Sequence, residues 1–240
     1  ESLEVSKNTD ELLSIFSDDS PKLRGVSPST NRAKVSKELS KELLQDKTLF
    51  QTPKPIIIIG TKGAGKSTFI NHFFRDDKTA PLLENHPHVI LDMMNYFSSD
   101  SSKIEFNLVA KDIITRLCSS YEAEKLPHIH TLISIYKSEI DQNRMGVWSL
   151  LQEDSPEYKD KLLSFLEAKL SDSVSHLISI NNYLIKRGKR IIIVFDNADQ
   201  LPDKTQEEIF LFSATLNSKG KLGVIISLRE GYYHTFKNKA

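Results

Sequence analysis

The residues Gly60-Thr61-Lys62-Gly63-Ala64-Gly65-Lys66-Ser67 fit the pattern G-x-x-x-x-G-K-[ST] in full, and Thr68 follows them. Small residues in such a run let successive main-chain N–H groups converge on phosphate oxygens. A helix opening at Lys66 adds positive potential at the same point. In that chemistry Lys66 reaches the β and γ phosphates of a nucleotide, and Ser67 offers its hydroxyl to Mg²⁺. The whole run Gly60, Thr61, Lys62, Gly63, Ala64, Gly65, Lys66, Ser67 and Thr68 is therefore expected to bind phosphate. The side chains of Lys62 and of Arg75, a little further on, could also touch phosphate, but solvation at the surface is the simpler role for both.

A second candidate lies far along the chain. Ile191-Ile192-Ile193-Val194-Phe195 is an apolar run that ends in the carboxylate of Asp196, the place where such enzymes hold Mg²⁺ through its water shell. An aspartate there also suits a cap on the turn Asn197-Ala198-Asp199. The residue directly after Asp196 is Asn197, whose amide cannot act as a general base. Asp199 is the nearest carboxylate beyond it and is expected either to orient an attacking water or to cap the turn before Gln200.

The elements that must position these groups alternate in type. Four β-branched residues at 56–59 predict a strand buried on both faces, and the glycine run separates it from a helix over 66–74. Further strands are expected at 88–92, 191–195 and 223–228. Before them, Val35, Leu39 and Leu43 recur every four residues as a helical stripe, and Leu12 to Phe16 suggest a short amphipathic helix in an otherwise polar leader arm, 1–29. A helix carrying Ile104, Leu108, Val109, Ile113 and Leu117 follows the second strand. From 121 to 187 the apolar spacing stays helical, which predicts a helical insertion closed by Gly188 as a left-handed cap. Asp203 with Gln206 has the form of a capping box for a helix to about 216. Strands alternating with helices imply an α/β domain over 30–240, a parallel sheet with helices on both faces, whose ligands sit at the carboxyl ends of the strands.

Composition narrows the rest. The 240 residues carry 32 basic and 32 acidic side chains, so no overall field draws the chain to nucleic acid or to an anionic membrane. The longest apolar runs fall far short of the roughly 20 residues of a membrane-spanning helix, and no signal peptide is visible at the start. Cys118 is the only cysteine, consistent with a reducing compartment, by default the cytoplasm. The pairs His86/His88 and His128/His130 lack the acidic or cysteine partners that a metal site needs, and Trp148 is expected to fill the helical insertion.

Taken together, the phosphate run, the strand ending in Asp196-Asn197-Ala198-Asp199, and Gly223-Val224-Ile225-Ile226-Ser227-Leu228-Arg229 resemble the STAND class of signal-transduction ATPases, P-loop NTPases related to the AAA+ and origin-recognition ATPases. The resemblance runs from about Lys34 to Arg229 and leaves the helical insertion unmatched. It implies ATP as the nucleotide with Mg²⁺, and a catalytic set of Lys66, Asp196, Asp199 and Arg229. Arg229 would sense the γ-phosphate, although an ion pair with Glu230 is its plainer role. It further implies a switch in which ADP keeps the protein closed and ATP favours homo-oligomers or engages an attached effector, as in some bacterial antiviral defence ATPases. The start at Glu1 and the aromatic stretch Tyr232-Tyr233-His234-Thr235-Phe236 at the end suggest a piece of a longer protein.

Three functions compete at this point. A hydrolysing switch uses Lys66 and the loop amides for the phosphates, Ser67 and Asp196 for Mg²⁺, Asp199 for the water and Arg229 for the γ-phosphate. A non-catalytic nucleotide-binding module is favoured by the amide of Asn197, and a small-molecule or nucleic-acid kinase would use the helical insertion as an acceptor lid. No Asn-Lys-x-Asp guanine-reading motif follows the Asp196 strand, which argues against a GTPase.

Overall fold

The computed structural model describes residues 22–24, 39, 55–61, 63–75, 86–98, 103–121, 125–153 and 155–228. They fall into two compact units, one formed by the described residues up to Ile104 and from Gly188 onward, the other by 105–187.

The first unit is built on a five-stranded parallel sheet. Its strands are β1 (Lys22–Arg24), β2 (Ile56–Ile59), β3 (His88–Asp92), β4 (Ile192–Asp196) and β5 (Gly223–Leu228), in the spatial order β1-β2-β5-β4-β3. The four later strands lie where the sequence places them, except that β4 starts one residue late and takes in Asp196 itself. The first was not foreseen. The stretch expected to be only a polar leader arm contributes β1, whose backbone pairs with β2 from Lys22↔Ile57 to Arg24↔Ile59. Edge pairing uses main-chain groups, so three residues with no apolar alternation give nothing to read. The helix expected at Leu12 to Phe16 lies outside the described residues, as do Val35 and Leu43, whereas Leu39 is helical and fully buried.

Side chains along a strand alternate between the two faces of the sheet. Ile56, Ile58, Ile192, Val194 and Ile225 share one face, where they pack with Leu39 and with Ile70, Phe73 and Phe74 of helix α1 (Lys66–Arg75). The alternate residues point the other way, and there Phe195 meets Phe212 of a second helix, Asp203–Gly220, with ring centroids 6.0 Å apart. The sheet is thus covered on both faces, an α/β fold. That second helix begins at Asp203 with Pro202 as its cap, not at the expected capping box. Pro202 has no N–H for Gln206 to accept, and the Gln206 amide instead donates to the carbonyl of Leu201 at 2.7 Å.

The second unit holds five helices: α2 (Phe106–Ser120), α3 (Ile129–Ile135), α4 (Lys137–Met145), α5 (Pro156–Ser171) and α6 (Ser173–Ile185); the helix over Asp203–Gly220 is then α7. The helices of 121–187 thus fall in the same compact unit as α2. The continuous apolar spacing from Leu162 to Leu184 is broken in two by Asp172, whose carboxylate accepts from the Ser175 backbone at 3.1 Å and caps α6. Trp148 packs as expected, edge-on to Tyr158 and Phe165 at 5.8 Å each. Gly188 is left-handed, at φ 72°, but α6 ends before it, with Lys186 and not Gly188 as its cap.

Within this unit Tyr136 Oη and His176 Nδ1 share a buried hydrogen bond of 2.7 Å. Burial lowers the pKa of His176 to about 4 and is the main cause that raises that of Tyr136 to about 12. An unfolded chain binds a proton on this imidazole near its ordinary 6.5, while the folded one does not until about 4. Between those values the unfolded state holds more protons, so the contribution of His176 is complete above pH 6.5 and is lost as the pH falls towards 4. Thermal melts across that window should show this acid sensitivity, and His176→Phe should flatten it.

Candidate functional site

The loop after β2 is held by its ends. The N–H of Gly60 donates to the carbonyl of Leu228 at 3.2 Å, which ties the loop to β5, and Ala64 N–H donates to Thr61 O at 3.2 Å to close a turn. Gly63 and Gly65 adopt φ of 77° and 76°. Nothing crowds the space where a Cβ would stand, so it is the backbone conformation that calls for glycine at both positions. The first helical hydrogen bond of α1 runs from Phe69 N–H to Gly65 O at 2.8 Å, and the N–H groups of Lys66, Ser67 and Thr68 precede it. The first turn of α1 contains no acidic residue. Main-chain donors and the positive end of the helix dipole therefore converge on one point.

Lys66 folds back over this loop. Its Nζ donates to Gly60 O at 2.9 Å and to Thr61 O at 3.3 Å, and it lies 3.1 Å from Asp199 Oδ2. The side chains of Lys66 and Asp199 are only 8% and 6% exposed, so the pair sits where water screens it little. Thus two residues 133 positions apart in sequence meet at the phosphate end of the loop.

Asp196 ends β4 on the same side of the sheet as α1. Ile192 and Val194 face that helix, and by the alternation of the strand so does Asp196. The same counting from Ile225 puts Ser227 of β5 on that face. The contact agrees: Ser227 Oγ donates to Asp196 Oδ1 at 3.0 Å, and the Asn197 N–H donates to the same oxygen at 2.9 Å. Among the described residues Oδ2 takes no hydrogen bond, which suits a carboxylate that offers its second oxygen to a metal's water shell.

Asn197, in the position after Asp196, has φ 57° and ψ 15°, and asparagine tolerates this left-handed conformation better than most residues. Its Oδ1 accepts from Gln200 Nε2 at 3.0 Å, which fixes the short 3-10 turn Ala198–Gln200 that carries Asp199. Asn197 thus shapes the turn that carries Asp199.

A strand-turn-helix with two left-handed glycines, a lysine folded over the turn and a buried aspartate on the same face of the sheet is a nucleotide phosphate site in form. A sequence model of the KAP family P-loop domain matches residues 32–230. The chain belongs to the KAP family of P-loop NTPases. No curated protein matches it significantly. The matched span includes 105–187.

Of the expected site residues in this KAP domain, Gly60, Thr61, Gly63, Ala64, Gly65, Lys66, Ser67 and Thr68 form one loop and helix start, and Lys66 and Asp199 are in contact. Lys62 and Arg229 lie outside the described residues. Sequence reasoning had Ser227 only as half of a Ser-x-Arg pattern and did not find its bond to Asp196. The signal was a lone hydroxyl in the buried strand Gly-Val-Ile-Ile-Ser-Leu. The histidines have local structural roles: His86 Nδ1 accepts from the Arg190 N–H at 3.1 Å, His88 stacks on Phe74 at 4.7 Å, and His128 precedes α3 as its cap residue. Among the described residues, no helix is long and apolar enough to cross a membrane.

Proposed function

We propose that this KAP domain binds ATP with Mg²⁺ and hydrolyses it, as a switch that couples nucleotide state to homo-oligomerisation or to an attached effector. The contact between Lys66 and Asp199 supports this reading, because it brings a carboxylate to within 3.1 Å of the ammonium that would bind phosphate, where it is a candidate to orient a water. The loop amides and Lys66 hold the phosphates. Ser67 and Asp196 hold Mg²⁺, with Ser227 fixing the rotamer of Asp196. The metal, when bound, supplies positive charge to the β and γ oxygens. Asp199 orients the water, and Arg229 reports the γ-phosphate. Likeness to STAND ATPases supports the switch and, more distantly, a setting in cytoplasmic antiviral defence.

A second reading, a binding module without turnover, is favoured by the amide at Asn197. Phosphate release from ATP and Mg²⁺ by the purified protein separates the two, read alongside light scattering in ADP and in ATP. Release together with a larger species in ATP supports the switch. Tight binding without release supports the module, and no binding of any nucleotide rejects both.

A further inference from the structure

We infer that Asp199 competes with nucleotide phosphate for Lys66, so that one carboxylate limits affinity and also serves the reaction; this rests on the reading of Lys66 as the phosphate ligand. An ammonium has three protons to donate. In this protein Nζ has three acceptors within reach: Gly60 O at 2.9 Å, Thr61 O at 3.3 Å and Asp199 Oδ2 at 3.1 Å. A phosphate oxygen that reaches Nζ must take the place of one of them.

The two carbonyls belong to the loop whose N–H groups receive the same phosphates, so moving either would disturb the donors that the ligand needs. Asp199 belongs to a different segment, the three-residue turn Ala198–Gln200, which begins at the left-handed Asn197. Asp199 is therefore the partner that yields.

Its charge makes the exchange costly. A buried carboxylate and a phosphate oxygen are both anions seeking one ammonium, and the carboxylate that is displaced stays close to the incoming charge. Asp196 adds a second buried carboxylate on the same face of the sheet. The site thus holds back its affinity until enough positive charge accompanies the nucleotide.

Calorimetry of ADP, ATP and inorganic pyrophosphate, each with and without Mg²⁺, tests this in the whole chain carrying Asp199→Asn, which keeps the shape and removes the charge. Binding should tighten by about tenfold or more, a difference of roughly 1.4 kcal/mol. The gain should be largest without Mg²⁺, and phosphate release should fall. Asp199→Ser serves as a second variant if the first does not fold. Unchanged or weaker binding in these variants, with the natural protein binding normally, overturns the competition and leaves the phosphate site intact. If the natural protein and the variants all fail to bind, the reading of Lys66 itself has failed.

Discussion

Lys66→Ala is expected to abolish measurable nucleotide binding and turnover together. Lys66 is the only cation among the described residues that is shown within reach of both the loop carbonyls and Asp199. Truncating one member of a buried, hydrogen-bonded charge pair costs roughly 2–5 kcal/mol, or about 30- to 5,000-fold in affinity. The variant should also melt earlier, because the Asp199 carboxylate, at 6% exposure, loses its ion pair with Lys66. Adding Asp199→Ala to Lys66→Ala should restore part of the melting temperature but none of the binding. Calorimetry and thermal melts on the single and double variants read the two effects separately. Retained ATP binding in Lys66→Ala would mean that the phosphates sit elsewhere.

The second large effect is expected at Asp196. Asp196→Asn keeps an oxygen to accept from Ser227 and from the Asn197 N–H, so the fold and its melting temperature should hardly change. What it removes is negative charge on the face of the sheet that α1 covers. Losing one preorganised electrostatic contact typically costs on the order of 10²–10³-fold in rate, and turnover should fall by that much. The concentration of Mg²⁺ at half-maximal rate should rise, while nucleotide binding without Mg²⁺ should be no weaker than in the natural protein. A variant with normal turnover at low Mg²⁺ would remove Asp196 from the metal's side of the site.

The parts of this site that could be read from sequence were those whose chemistry dictates local residue types. Left-handed glycines, a buried strand of isoleucines and a lysine at the start of a helix each leave a pattern within ten residues. What escaped depended on partners distant in sequence or on main-chain pairing alone. Nothing near Ser227 announces that its hydroxyl fixes Asp196, 31 residues earlier. Likewise, the helical spacing from Leu162 to Leu184 does not show where one helix ends, because its period survives the break at Asp172, and the cap marks the division. Asn197 was read for what its amide cannot catalyse, whereas its backbone angle is what matters to the turn.

The sheet's register bears on how the chain finds its fold. His88 pairs with Ile192, so β3 and β4 can zip together only after the ends of a segment of about a hundred residues have met. That closure is entropically unfavourable if the intervening chain is loose, and the barrier grows with its length. Within the helical unit the first and last helices, α2 and α6, pack against each other. Once condensed in this way, the segment has less loop entropy left to lose when β3 meets β4. Damage to the helical unit would then slow maturation of the nucleotide site without touching any residue in it.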